Sequence, residues 1–190
     1  MAVTFSGVST GVTGGVQSAY ALELTAALEG QFADIADNSI ATFVNETNAV
    51  LAFGNLMVVN TGGTVGNSAK TIAATGDTVV GVNALTYVDE TATDANSRPG
   101  VADEQVVNVM NKGVVAVYCT AAVDFTSPVH VYHTVNTGTT TGSFPGRFAA
   151  SGVSGKTAAL SGARWVSKTT AAGIALLELN GPDFTLTADT

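Results

Sequence analysis

A glycine-rich segment of the sequence contains Gly155-Lys156-Thr157, a triplet that occurs in phosphate-binding loops. Such a loop needs a glycine five residues before the Gly-Lys pair and a helix that begins at the lysine, so that backbone N–H groups surround the phosphates. The required position holds Ala150 instead, and Gly162 interrupts the chain before a helix can develop. We therefore predict no nucleotide cofactor here.

Two further patterns resemble catalytic or metal-binding motifs but lack the required context. Residues 7–11 match the Gly-x-Ser-x-Gly pattern of hydrolases, yet no strand precedes them. His130 and His133 are the only histidines, and in a strand residues three apart point to opposite faces. The two imidazoles then cannot share one metal ion, so a core or interface role is favoured over a ligand role. We predict no catalytic residue and no metal site.

The composition favours a β protein that works inside an assembly. Only 12% of the 190 residues are charged, 46% are hydrophobic, and 21 are glycines. Val and Thr lose side-chain freedom in a helix and pack well on a pleated sheet, and glycine serves the turns. A surface with few charges does little to keep neighbouring molecules apart, which suits a packed structural protein.

The net charge of −8 is distributed unevenly along the chain. Residues 1–97 hold nine acidic side chains and one basic one, whereas residues 98–190 hold six of each. No acidic residue lies between Asp124 and Glu178, although four basic residues do. Four dispersed cations are too few for the clustered basic stripe of a nucleic-acid interface, so we predict no direct contact with nucleic acid.

The sequence also bears on the cellular compartment. Cys119 is the only cysteine, so no intrachain disulfide can form. The first residues lack the basic start and apolar stretch of a secretory signal, and no apolar run reaches the roughly 18 residues needed to cross a bilayer. We expect synthesis in the cytosol of the cell that expresses the protein, and no membrane partner.

Turn residues divide the chain into an N-terminal arm and a β domain. Residues 1–29 are interpreted as an arm, within which residues 17–29 can form either a short helix or a strand. Residues 30–190 are predicted to form a sandwich or barrel of short antiparallel strands, because brief apolar runs alternate with Gly, Asn and Ser turns. The runs are residues 39–44, 49–59, 78–88, 104–110, 113–119, 128–135, 163–167 and 173–179.

The order of segments in the second half resembles a known family. KGVVAVYCTAAV is followed by SPVHVYHTV, then GSFPGRF, then SGARWVSKTTAAGIALLELNGP. Earlier, GQFADIADNSIATFVNE and AFGNLMVV are similar to the first strands of the same family. Over roughly residues 30–182 the chain resembles the head cement, or capsid decoration, proteins of tailed bacteriophages, also called structural cement proteins.

This resemblance implies a jelly-roll-like fold, a structural role and no catalysis. It also implies that the protein binds the outer surface of the phage head, contacts the major capsid protein and bridges neighbouring capsomers around the packaged DNA. It favours a homodimer, with a homotrimer as the alternative. It also gives Gly142, Pro145 and Gly146 the role of turning the chain between strands.

We hypothesise that the segment between Asp124 and Glu178, which holds four basic residues, faces acidic capsid surface. The N-terminal arm is expected to lie along the shell. The alternative is that these cations are ordinary solvated side chains, since exposed ion pairs contribute only about 0–1 kcal/mol. The candidate capsid-binding residues are Val3, Phe5, Arg147, Lys156, Arg164 and Lys168.

A different class of function remains as an alternative, namely a tail- or surface-associated β module that binds a receptor or a carbohydrate. Such a module needs an exposed aromatic platform. Trp165 is the only tryptophan, and its place in a strand favours burial.

Overall fold

The computed structural model describes residues 27–34, 37–85, 92–137 and 142–190, and in these ranges the chain forms strands and no helix. Val3, Phe5 and most of the predicted helix or strand at residues 17–29 lie outside the described residues. The strands are β1 (Ser39–Asn45), β2 (Leu51–Ala52), β3 (Leu56–Val59), β4 (Ser68–Thr71), β5 (Val79–Asn83), β6 (Gly100–Val101), β7 (Val106–Cys119), β8 (His130–Tyr132), β9 (Phe148–Ala149), β10 (Thr157–Ser161), β11 (Ala163–Trp165), β12 (Gly173–Asn180) and β13 (Thr185–Ala188). The mainly β class predicted from the composition is confirmed.

The long strand β7 organises the sheet. Its first half pairs antiparallel with β1 and β5, and its second half pairs antiparallel with β12. The chain at residues 30–33 also bonds to β7, since Gly30 N–H donates to Ala116 O at 2.8 Å and Ala33 N–H to Val114 O at 2.9 Å. Eleven of the described strands join one sheet in this way, while β2 and β6 pair separately.

Two predicted apolar runs, 104–110 and 113–119, belong to β7 as one continuous strand. Lys112 is the position at which the partner changes, because it pairs with Ser39 of β1 and also with Asn180 of β12. Gly113 follows immediately with a φ of +122°, a backbone conformation that side chains with a Cβ rarely adopt. Gly113 therefore lies inside a strand and does not end it.

The main core contains buried side chains from β3, β5 and β7 to β12 and consists mostly of aliphatic residues. Phe148 and Trp165 form its aromatic centre, with ring centroids 6.2 Å apart in an edge-to-face arrangement. Alternate residues of β12, namely Ala175, Leu177 and Leu179, are buried, as the period of two requires. Leu51, Phe53, Met57, Val101, Val107 and Val109 form a smaller second cluster.

Several strands escape sequence-based prediction. β4, β10 and β13 read SAKT, TAALS and TLTA, which lack a run of large apolar residues. They become strands because a neighbour supplies hydrogen-bonding partners, as when β10 pairs with both β8 and β13. Two pairings, β1 with β4 and β7 with β9, are parallel, whereas we expected antiparallel strands throughout.

The position of Gly113 leads to a first prediction. Gly113→Ala should lower the free energy of unfolding by about 1–3 kcal/mol, because the φ of +122° is unfavourable for alanine and the new Cβ would overlap Oδ1 of Asn38. Gly76→Ala is the matched control, since a Cβ at Gly76 meets no atom within 4 Å. Urea unfolding of both variants measures the difference. Equal stability of the two variants would contradict this account of β7.

Candidate functional site

Arg147, which we predicted as a surface contact, lies inside the protein. It is 7% exposed, its Nη2 donates to Oε1 of Glu29 at 2.6 Å, and its guanidinium lies 4.1 Å from the centre of the Tyr118 ring. Burial raises the pKa of the Glu29 carboxyl, although the charge of Arg147 works in the opposite direction. Burial likewise lowers the pKa of Arg147. This position does not fit direct contact with a partner.

A second ion pair lies close enough to influence the pair formed by Arg147 and Glu29. Arg98 Nη2 lies 2.5 Å from Oδ2 of Asp94, and the Arg98 guanidinium lies 5.4 Å from the centre of the Phe144 ring. The charges of Asp94 and Arg98 act on the Glu29 carboxyl. We call Glu29, Asp94, Arg98 and Arg147 the ionic cluster. It connects the start of the described chain with the loops before β6 and before β9.

The remaining candidate cations are accessible to different degrees. Arg164 is exposed and its Nε donates to Oε2 of Glu178 at 2.6 Å, which raises the pKa of Arg164. Lys156 is half-buried and Lys168 is exposed, and neither forms an ion pair with any residue of the described ranges. The pairing of β11 with β12 thus places an acidic residue beside a segment that has none in sequence.

The residues of the apparent phosphate loop serve the sheet. After Lys156 the chain enters β10, and the buried Thr157 donates its hydroxyl to Oδ2 of Asp189 at 2.5 Å. His130 Nδ1 lies 2.9 Å from the same carboxylate oxygen. Asp189 therefore fastens the end of the chain to β8 and β10. No helix starts at Lys156 to face an anion.

The described ranges contain no group of three or more His, Cys, Asp or Glu side chains that could hold a metal ion. His130 is buried, and His133 is half-buried with Nδ1 2.9 Å from the Thr134 hydroxyl. Their side chains are occupied with different neighbours. Within the same ranges, no helix has the length and apolar character needed to cross a bilayer.

Trp165 is buried, as predicted. Its side chain is 1% exposed, and its Nε1–H donates to Pro128 O at 3.2 Å. An indole in this position cannot provide the exposed stacking platform that a carbohydrate site would need.

The most exposed large apolar side chain of the described residues is one that sequence reasoning did not single out. Phe125 is 67% exposed in the connection from β7 to β8. The DFTS sequence around it is typical of a turn closed by the aspartate side chain, but an apolar residue in a turn does not reveal its exposure.

Together these features define a structural β protein whose polar and charged clusters fasten its own loops and chain ends. The family described as structural cement protein (E217 gp24/Pam3 gp6) matches residues 16–180, and the chain belongs to this family. A chain in a solved structure titled "The capsid of Myoviridae Phage XM1" shares the fold, with a TM-score of 0.61 at 17% identity. The match covers 87% of this chain and 98% of that chain. A comparison with curated proteins finds no match.

The predicted family and structural role are thereby confirmed. The protein is a structural component of the phage virion that stabilises the capsid and associates with capsid proteins. The family implies a structural role in place of an enzymatic one.

The buried position of Arg147 leads to a second prediction. Arg147→Ala should lower the free energy of unfolding by an amount approaching the roughly 3–5 kcal/mol typical when one partner of a buried ion pair is removed. Because 22% of the Glu29 side chain is exposed, water partly hydrates its unpaired carboxylate, and the loss of unfolding free energy is smaller than for a fully buried pair. Adding Glu29→Gln should restore part of the stability, because no unpaired carboxylate remains. Urea unfolding compares these variants with Arg164→Ala, which should change stability little. An Arg147→Ala protein as stable as the parent would argue against a structural role for the pair.

Asp94 leads to a prediction about pH. Burial alone would raise the pKa of its carboxyl, but hydrogen bonds from the backbone N–H and side chain of Arg98 and from the N–H of Asn96 lower it overall. The unfolded chain therefore takes up this proton at higher pH than the folded chain. The stabilisation is complete above the ordinary aspartate pKa of about 3.9 and disappears as the pH falls through the lower pKa of the folded state.

We expect Asp94→Asn to be less stable than the parent protein near neutral pH. The gap should narrow as the pH falls below about 4, because the parent carboxylate then becomes protonated. Urea unfolding of both proteins across a pH series measures this gap. A gap that stays constant down to pH about 2 would show that the charge of Asp94 contributes nothing.

Proposed function

We propose that the protein binds the outer surface of the phage head, contacts the major capsid protein and bridges neighbouring capsomers. The observation that carries this proposal is the family match over residues 16–180. The fold is consistent with it, because a core of interlocked strands resists deformation better than a collection of loops. Such a body can transmit load across a capsomer seam.

The accessible cations are the candidate contacts of the β domain. Lys156 and Lys168 have no carboxylate partner among the described residues, so a carboxylate on the capsid can pair with them without breaking an existing ion pair. Arg164 contributes more weakly, because Glu178 already holds its guanidinium. Arg147 is not among these contacts, because it is buried against Glu29 and Tyr118. Its role is to position Glu29.

The N-terminal segment is the second candidate contact. We propose that the N-terminal arm, residues 1–29 with Val3 and Phe5, lies along the shell. Glu29 and Gly30 are fixed to the domain through Arg147 and Ala116, so the preceding chain has a defined starting point. Leu28 is 63% exposed at that point and provides apolar surface beside it.

We further propose a closed homo-oligomer, with the dimer favoured and the trimer as the alternative. Linking two or three weakly bound copies raises the effective concentration of each remaining contact, so modest docking per subunit gives firm retention. We also propose synthesis in the host cytoplasm, no direct contact with nucleic acid or membrane, and no catalytic activity.

Binding to heads that lack this protein tests the proposal. The parent protein should sediment with such heads, and Lys156→Glu and Lys168→Glu should each bind several-fold more weakly at low salt, with a smaller difference at high salt because salt screens exposed charges. Lys70→Glu is the control for the same charge change in the acidic half of the chain, and urea unfolding checks that it stays folded, because Lys70 Nζ lies 3.8 Å from Oδ1 of Asp77.

Failure of the parent protein to bind heads at any salt concentration would overturn the proposed function. If the parent binds and all three variants bind equally well, the electrostatic part alone is wrong.

A further inference from the structure

The first residues that the structure describes run along one edge of β7. Gly30 N–H donates to Ala116 O at 2.8 Å, and Ala116 N–H donates to Gln31 O at 2.9 Å. Gly30 O also accepts from Leu85 N–H at 2.8 Å. The opposite edge of β7 at these positions pairs with β12. We call residues 27–34 the root segment, because the N-terminal arm leaves the domain there.

The root segment buries little of its own surface. Leu28 is 63% exposed, Ala33 is exposed, and Phe32 packs against the main core but is only half-buried. The strand on the other edge of β7 differs, because alternate side chains of β12 are fully buried. A segment with few buried apolar contacts opens more easily than a core strand does.

An ion pair joins the root segment to the body of the domain. Oε1 of Glu29 accepts from Nη2 of Arg147 at 2.6 Å, and the two side chains are 22% and 8% exposed. Arg147 itself is held firmly, because its carbonyl accepts from Tyr132 N–H at 2.9 Å and its N–H donates to Phe144 O at 3.1 Å. If the ion pair opens, the root segment is therefore the side that moves.

The ion pair fixes a position more than it adds net stability. Burial raises the pKa of the Glu29 carboxyl, although the charge of Arg147 opposes this, so the ionised carboxylate regains hydration when it leaves. Arg147 then keeps the Tyr118 ring, 4.1 Å from its guanidinium, and the nearby negative charge of Asp94. These contacts offset part of the lost attraction, while the charge of Arg98 works against Arg147.

We propose that the root segment detaches from β7 as a unit when the ion pair between Glu29 and Arg147 opens, while the strands of the domain stay folded. Detachment moves the point at which the N-terminal arm leaves the domain towards β1. Eight residues of extended chain add up to about 26 Å to the reach of the arm. The inference concerns the protein on its own and does not rest on binding to phage heads.

Detachment of the root segment leaves a distinctive pattern along β7. Backbone N–H groups of successive strand residues point to opposite edges, so Ala116 faces the root segment whereas Val115 and Val117 face β12. All three residues are fully buried, so their exposure in the closed state does not distinguish them. The amide of Ala116 should therefore exchange with solvent together with that of Gly30, and faster than those of Val115 and Val117.

Amide hydrogen exchange of the purified protein, followed by NMR at several low urea concentrations, tests the inference. Urea favours an opening in proportion to the surface that the opening exposes. Detachment of eight residues exposes little surface, so the exchange rates of Gly30 and Ala116 should hardly change with urea. Val115 and Val117 should exchange through larger openings, and their rates should rise with urea.

A charge variant tests the role of the ion pair. Glu29→Ala should speed the exchange of Gly30 and Ala116 at least about fivefold, since an ion pair stronger than an ordinary exposed one then no longer holds the segment closed. Glu178→Ala is the matched control, because it removes the carboxylate of another pair with an N–O distance of 2.6 Å, on β12. It should leave the exchange of Gly30 and Ala116 unchanged.

A core variant tests whether the opening is local. Leu160→Ala removes a buried side chain from β10, which β8 and β9 separate from β7 in the sheet. The resulting cavity lowers the stability of the whole domain, so Val115 and Val117 should exchange faster. Gly30 and Ala116 should keep their rates, because the folded domain and the detached state lose the same contacts.

Two results would overturn the inference. If Ala116 exchanges at the same rate as Val115 and Val117, with the same urea dependence, the root segment opens only when the whole domain unfolds. If Glu29→Ala leaves the exchange of Gly30 and Ala116 unchanged, the ion pair does not hold the segment closed. Either result leaves the proposed function standing, since that function is tested by binding to heads.

Discussion

The structure depends on the hydrogen bonding of one long strand. β7 runs from Val106 to Cys119 and provides pairing edges for β1, β5, β9 and β12 as well as for residues 30–33. Its partners come from parts of the sequence both before and after it, so the complete sheet contains strands from both halves of the chain. This arrangement joins the start of the described chain to its C-terminal strands in one body, which suits a protein that has to withstand force.

Charged side chains in this protein divide between interior and surface roles. The ionic cluster and the contacts of Asp189 use carboxylates and cations to fasten loops and chain ends to the sheet. Such buried pairs add little net stability compared with apolar packing, but removing one partner is costly, so they fix particular contacts. The cations left without partners, Lys156 and Lys168, are those that a docking surface can use.

The candidate site was predictable only in part. The glycine-rich turns and the burial of Trp165 follow from local sequence rules, as does the entry of the described chain into a strand and not a helix after Lys156. The interior position of Arg147 does not, because its partner Glu29 is 118 positions away and only the folded sheet brings them together. The pairing of Arg164 with Glu178 likewise depends on the register between β11 and β12. Phe125 was overlooked because an apolar residue in a sequence is expected to be buried until the surrounding backbone shows otherwise.

The sequence by itself determined the β class, most of the apolar strands and, through short segment motifs, membership of the cement family. These properties depend on local period, turn chemistry and residue order, which are written along the chain. Only the tertiary structure decided that two apolar runs form one strand, that polar segments such as SAKT and TLTA become strands, and which cations stay free. The physical reason is that the strands and ion pairs find their partners far away in sequence. Local composition does not specify which distant strand or charged residue will be the partner.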